Sequence, residues 1–247
     1  MQAQADLIEL SLTPNTLASE ITQTDANALK FNHVYNQETD DETLKGLITV
    51  MKALPKLHTI DLDLEKSNKD ITEEGLIAFC QDLKQFSGLQ SIAIKCQGKS
   101  AATDEALKTL KATLEGFSAL KSLSLDFSCS EAFTDESVNI VTQAFQGLSS
   151  LEFLDINFGR IPNLTNQALK SLGENIKSLK NVNKVQICFD RCNLTDEALK
   201  SLGEGLQTLA ALKFVLLDFG RVQGLSGEAF KELREVLEKA GIPEIYC

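Results

Sequence analysis

The sequence predicts an α/β solenoid, in which short parallel strands alternate with helices along a single repetitive domain. The first observation is a repeated unit of 30 to 32 residues, and the second is that each unit joins a strand pattern to a helix pattern. The copies begin at Leu57, Leu89, Leu120, Leu151, Val182 and Leu212. A unit of this size cannot bury its own apolar side chains, so several units have to stack around a continuous core.

The two ends of the chain predict units that close the stack. After the short apolar stretch at 7–12, Thr13 and Pro14 provide a helix start, and the first unit is shorter than those that follow. At the other end Pro243 lacks a backbone donor and suits an edge strand. We therefore predict one domain over residues 1–247, with a capping unit at 1–25, repeats at 26–241 and an edge strand at 242–247.

Each full unit opens with apolar residues at alternate positions, in the pattern L-x-x-L-x-L-x-F. One unit shows it at Leu151, Leu154, Ile156 and Phe158. Alternation with a period of two indicates a strand with one buried face.

A helix start follows each strand after a polar loop. Thr195 precedes two acidic residues, where its hydroxyl would accept from a first-turn N–H and the acids would face the positive end of the helix dipole. The apolar residues then recur at helical spacing, at Leu199, Leu202, Leu206 and Leu209. On the solvent face we expect ion pairs between residues four apart, Asp104 with Lys108 and Asp196 with Lys200.

Composition excludes several classes of function. A net charge of −11 argues against a nucleic-acid or anionic-membrane partner, because phosphates require Lys and Arg. The six cysteines form no C-x-x-C pair and only His33 and His58 occur, so no metal or cofactor is predicted. No basic leader or run of about 20 apolar residues is present. The expectation is a soluble, membrane-free intracellular protein with reduced thiols, cytoplasmic or within a cytoskeletal or organellar assembly.

The run Phe-Asp-Arg-Cys-Asn-Leu-Thr-Asp-Glu-Ala-Leu at 189–199 resembles the leucine-rich repeats of the ribonuclease-inhibitor-like class. The resemblance covers about residues 26–241 and implies a horseshoe or arc, with parallel strands on the concave face and helices on the convex face. The units are slightly long for that class, and phenylalanine replaces most of the usual asparagine ladder. Such repeats are similar to those common in protist proteins. The replacing residues are Phe127, Phe158, Phe189 and Phe219.

The resemblance implies that a partner binds on the concave face, where the outward strand residues lie. This surface is mostly acidic with two aromatic residues, which suits a protein with basic residues and apolar pockets. The alternative is a solvated strand face. Phe153, Phe214 and Leu216 are favoured because large apolar groups on an exposed face require an explanation. The other candidates are Asp61, Asp63, Asp126, Asp155, Asn157, Gln186 and Asp218.

Three of the four arginines, Arg160, Arg191 and Arg221, occupy one slot of the repeat. Stacking would place them in a row at the edge of the sheet. Their guanidinium groups could bind carboxylates or phosphates of a partner. The alternatives, which we favour, are an internal ladder of Arg–Asp pairs or inheritance by repeat duplication. The carboxylates expected nearby are Asp155, Asp190 and Asp218.

The sequence predicts no enzymatic activity. Two distant histidines cannot complete a Ser–His–Asp set, no glycine-rich phosphate loop occurs, and paired acids recur at every helix start rather than at one site. We predict a protein-binding scaffold or a structural subunit of a larger assembly, with no small-molecule substrate. The alternative is a regulator that activates a GTPase or inhibits an enzyme, because some ribonuclease-inhibitor-like proteins are GTPase activators.

Overall fold

A computed structural model describes residues 7–10, 26–31, 39–64, 71–98 and 100–247. Within these ranges nine strands form one parallel sheet whose order follows the chain. The fold is a leucine-rich-repeat solenoid, as the repeat predicts. The strands are β1 (Leu7–Leu10), β2 (Ala28–Phe31), β3 (Thr59–Asp63), β4 (Ser91–Lys95), β5 (Ser122–Asp126), β6 (Phe153–Asn157), β7 (Lys184–Cys188), β8 (Phe214–Asp218) and β9 (Glu244–Tyr246).

One helix follows each strand from β2 to β8. Short 3-10 turns, Ala144–Gly147 and Ile176–Ser178, extend the fourth and fifth helices. Thr13 and Pro14, which the sequence assigns to a capping helix start, lie outside the described residues, and the division into caps and repeats stays a prediction. The helices are α1 (Asp41–Lys52), α2 (Glu73–Leu83), α3 (Asp104–Leu114), α4 (Asp135–Gln143), α5 (Asn166–Asn175), α6 (Asp196–Leu206) and α7 (Gly227–Lys239).

The core lies between the sheet and the helices. In the strands of β3 to β8 the second and fourth residues are buried, whereas the residues between them point to the other side of the sheet. Leu125 of β5 and Ile156 of β6 are register partners and are both buried. The helix residues predicted to face inward are buried as well. Leu199, Leu202 and Leu206 lie in α6, and Leu209 lies in the turn after it.

A ladder of phenylalanine rings runs through the core just beyond the strand ends. The rings of Phe127 and Phe158 stack with centroids 6.2 Å apart, and those of Phe189 and Phe219 are separated by the same distance. Between these pairs, Phe158 and Phe189 are 5.5 Å apart. All four residues are buried. Phenylalanine at this slot therefore provides apolar packing between consecutive repeats.

The first acid of α1, α2, α3, α4 and α6 binds the next repeat, which corrects the predicted ion pairs. Asp196 accepts from the backbone N–H and the hydroxyl of Ser226, at 2.7 and 2.8 Å. Asp104 likewise accepts from the Ser137 hydroxyl at 2.7 Å, and Lys108 pairs with Glu105 instead. No ion pair joins Asp196 to Lys200 among the described residues. These carboxylates therefore connect neighbouring helix starts.

We predict that Asp196→Ala lowers the free energy of unfolding by about 1–2 kcal/mol, because two hydrogen bonds to the α7 start are lost together with a favourable charge at the α6 start. Glu197→Ala is the control, since Glu197 occupies the same helix turn without a bond to the next repeat, and should cost about 0.5 kcal/mol. Urea unfolding measures both. Equal losses would show that the contact with Ser226 contributes nothing.

Candidate functional site: the strand face and its rim

The strand face consists of the outward side chains of β3 to β9. At its C-terminal end the Lys184 ammonium lies over two rings, 5.1 Å from the Phe153 centroid and 4.9 Å from the Phe214 centroid. The Tyr246 ring is 5.4 Å from the Phe214 ring, and Leu216 is the register partner of Tyr246. We call these five residues the aromatic–lysine patch. It crosses four consecutive strands.

The exposure of the patch differs from the prediction in one respect. Phe153, Phe214 and Leu216 are half-buried rather than exposed. Tyr246, at 54% exposure, is the exposed large apolar side chain among the described residues. Its place beside Phe214 was not predicted, although extending the strand register into the last strand would have found it.

Three of the polar candidates stabilise turns at the strand ends. Asp126 accepts from the Ser128 N–H, Asn157 from the Gly159 N–H and Asp218 from the Gly220 N–H, each at 2.9 Å. A side-chain oxygen that bonds to the N–H two residues later forms an Asx turn. Their residue types are therefore explained by the fold.

The remaining polar candidates, three acids and one amide, lie at separate places on the strand face. Asp155 accepts from the Ser124 hydroxyl at 2.9 Å, and burial raises its pKa above the ordinary 3.8 although that hydrogen bond opposes the shift. Gln186 is its half-buried neighbour on β7. Asp61 and Asp63 lie on β3, separated from the patch by β4 and β5. The structure thus groups the candidates on β5 to β8, where Asn157 donates to Asp126 at 3.0 Å, and leaves Asp61 and Asp63 apart from them.

The rim is the loop that leads from each strand to the next helix, and one rim slot has a left-handed backbone. Its φ is +67° at Gly98 and +60° at both Cys129 and Arg160, and it is +57° at Arg191 and +58° at Arg221. This conformation costs an L-residue roughly 1–2 kcal/mol but suits glycine. Arginine is therefore not required by the backbone of this slot.

The slot backbone joins one repeat to the next. The Arg160 N–H donates to the Asp190 carbonyl at 2.6 Å, and the Arg191 N–H donates to the Gly220 carbonyl at 2.9 Å. The Gly98 N–H makes the same type of bond to the Ser128 carbonyl. Because these bonds use the backbone alone, they do not depend on the side chain at the slot.

The Arg side chains form an incomplete internal ladder. Asp190 lies between two of them, with its Oδ2 atom 3.5 Å from Arg160 Nε and 3.6 Å from Arg191 Nε. Asp155 and Asp218 bind other groups, so two of the three expected carboxylates do not pair with the row. Arg221 has no ion pair among the described residues. The arginine side chains are about half exposed at Arg160 and Arg191.

The thiols near the site have raised pKa values. Burial raises the pKa of Cys188 on β7 to about 11, and it also raises the pKa of Cys192 in the rim. Neither thiol is activated as a nucleophile near neutral pH. The described residues contain no cluster of His, Cys, Asp and Glu suited to a metal ion. Among the same residues, no helix is both long and apolar enough to cross a membrane.

Comparisons with known proteins find matches among solved structures. No family model and no curated protein matches the sequence, whereas 99 chains of solved structures match the structure. Actin-binding site 2 of leiomodin-1 has 10% identity and a TM-score of 0.49, covering 66% of this chain and 87% of that one. The Rad7–Elc1 complex from yeast has 16% identity and a TM-score of 0.41, covering 88% and 67%. Neither similarity assigns a function to this chain.

We predict that the Asp155→Asn variant gains stability relative to the native protein as pH rises. A carboxyl whose folded pKa lies above its unfolded pKa binds its proton more tightly when folded, so the native protein loses stability as pH rises through that window. Asparagine does not titrate. The difference in unfolding free energy, variant minus native, should therefore grow as pH rises above about 4 in urea titrations.

Ser124→Ala provides the matched test of cause. It removes the hydrogen bond that favours the Asp155 carboxylate, so the Asp155 pKa should rise further in a carboxyl NMR titration. An Asp155 pKa at or below 3.8 in the native protein would contradict the assignment.

We predict that Arg221→Gly raises the free energy of unfolding by about 0.5–1 kcal/mol. Glycine removes the cost of the left-handed backbone, and its greater freedom in the unfolded chain offsets part of that gain. Arg221→Ala keeps a Cβ and should change stability by less than about 0.5 kcal/mol. A loss of stability in the glycine variant would mean that the Arg221 side chain holds the loop.

Proposed function

We propose that this chain is a non-enzymatic protein-binding module, which acts as a scaffold or as a structural subunit of a larger intracellular assembly. The aromatic–lysine patch would be the centre of its binding surface, and the rim would be its border. We also propose that the chain belongs with the ribonuclease-inhibitor-like leucine-rich repeats, because each strand from β2 to β8 is followed by a helix.

The observation that carries the proposal is Tyr246 beside Phe214 on the strand face. Tyrosine at 54% exposure next to a second ring and an aliphatic neighbour offers a rigid apolar surface. Aromatic side chains dominate binding energies at protein interfaces because they bury much area at little entropic cost.

Lys184 restricts the conformational freedom of this surface. Its ammonium lies over the rings of both Phe153 and Phe214, so its side chain is held between two strands. A cation over an aromatic face is stabilised by about 0.5–1 kcal/mol at exposed sites. The patch is therefore arranged before a partner arrives, which lowers the entropy cost of binding.

The experiment is a quantitative affinity capture with the native chain and with a variant that carries Phe214→Ala and Tyr246→Ala. We expect the recovery of specific partner proteins to fall about tenfold or more, because truncating central aromatic residues typically removes over 1.4 kcal/mol of binding. The control is Phe86→Ala, which removes a half-buried ring in the turn after α2, away from the patch.

Thermal unfolding of each variant establishes that it is folded before capture. If the folded double variant retains every partner of the native chain, the patch is not the binding surface. Capture of a GTPase would favour the regulator alternative. Nucleotide hydrolysis by that GTPase, measured with and without the chain, would then distinguish activation from simple binding.

A further inference from the structure

The rim contains a pocket of about 410 Å³ between the loops that follow β6, β7 and β8. Arg191 and Arg221 line it, together with the exposed amides Asn193 and Gln223 and the apolar side chains Pro162 and Leu194. No acidic residue belongs to its lining. In a chain with a net charge of −11 and four arginines, this concentration of donors in a lining that contains no carboxylate is unusual.

We propose that this pocket binds an anionic side chain, phosphorylated or carboxylate, on a segment of a protein partner. The inference rests on the proposed protein-binding function and adds the chemistry of one contact to it. Guanidinium groups bind phosphate and carboxylate oxygens through paired N–H donors, and the two amides supply further donors.

The internal carboxylate does not satisfy these arginines. Asp190 contacts both Arg160 and Arg191 through their Nε atoms, at 3.5 and 3.6 Å, which is longer than a strong charge-assisted hydrogen bond. One carboxylate therefore faces two guanidinium groups. Arg221 has no ion pair within the described part of the chain. The local balance of these four groups is positive.

The backbone indicates that the side chains have a purpose beyond the fold. Gly98 occupies the same slot in an earlier repeat with the same sign of φ, and its N–H makes the same bond to the next repeat. Arginine in this slot contributes neither to the turn nor to that bond. Strained backbone that carries a chemically specific side chain is concentrated at functional sites.

Arg234, the fourth arginine, serves as an internal comparison. Its Nη1 atom donates to the Ile245 carbonyl at 3.2 Å, so this guanidinium connects α7 to β9. A structural arginine in this chain thus forms a backbone hydrogen bond with its terminal nitrogen. The Arg191 side chain, by contrast, contacts Asp190 through Nε at 3.6 Å, is 46% exposed and lines the pocket.

The test measures binding of defined probes to the purified full chain by fluorescence anisotropy and NMR. The probes are one peptide with a phosphoserine, the same peptide with serine, the same peptide with two glutamates, and inorganic phosphate. We expect the anionic peptides to bind and the serine peptide to bind at least about tenfold more weakly. Phosphopeptide binding alone identifies a phosphate source, whereas equal binding of the glutamate peptide identifies carboxylates.

The decisive variant is Arg191→Gln with Arg221→Gln, which should weaken binding of the anionic peptide about tenfold or more. Its control is Lys180→Gln with Lys213→Gln. These exposed lysines precede β7 and β8, at the strand ends opposite the rim, so the control removes the same charge and should leave affinity unchanged. Arg221→Gly guards against misfolding, since this variant should lose affinity while keeping its thermal stability.

Two results would overturn the inference. One is that no anionic probe binds the native chain, and the other is that both double variants bind the probe with equal affinity. Neither result bears on the aromatic–lysine patch, because the capture experiment uses other residues and a different readout. Loss of partners on Phe214→Ala and Tyr246→Ala with no anion binding would leave the proposed function standing without this contact.

Discussion

In-register stacking of the repeats is the constraint on which the strand face and its rim depend. The buried phenylalanine ladder that begins at Phe127 fixes this register, because each ring packs against the ring at the same slot of the next repeat, 5.5–6.2 Å away. A slip of one residue in a strand would turn its outward side chains into the core. Equivalent residues therefore become neighbours in space, and a feature repeated in sequence becomes a row on the surface.

Most of the fold follows from the sequence because the local pattern and the global architecture agree. The alternation at Leu151, Leu154 and Ile156 predicts a strand that the structure contains, and α6 starts after Thr195 as predicted. The Thr195 hydroxyl, however, accepts from the Asn166 amide and not from a first-turn N–H, so that part of the prediction is wrong. The role of Asp196 was not predicted, because the expected ion pairs between residues four apart concern a single helix. Its partner Ser226 belongs to the next repeat, which a reading within one helix does not include.

The candidate site was predictable only in part, for two physical reasons. Repeat spacing aligns Arg160, Arg191 and Arg221, but arginine gives no sign of a left-handed backbone, which sequence reasoning associates with glycine or asparagine. Spacing also does not reveal which carboxylate a guanidinium reaches. The Asp190 carboxylate contacts Arg160, as predicted, whereas the Asp218 carboxylate accepts from the Gly220 N–H of its own turn. Side-chain competition of this kind depends on tertiary geometry.

At the left-handed rim slot, the side chain differs between repeats while the backbone contact between neighbouring repeats stays the same. Gly98, Cys129 and Arg160 occupy it with nearly the same φ, and in each case the backbone N–H bonds to the following repeat. A substitution here alters what the rim displays without altering how the repeats join. The loops after β4 to β8 each contain one such position, and exchanging these residues would change the side chains that the rim presents while the framework stays the same.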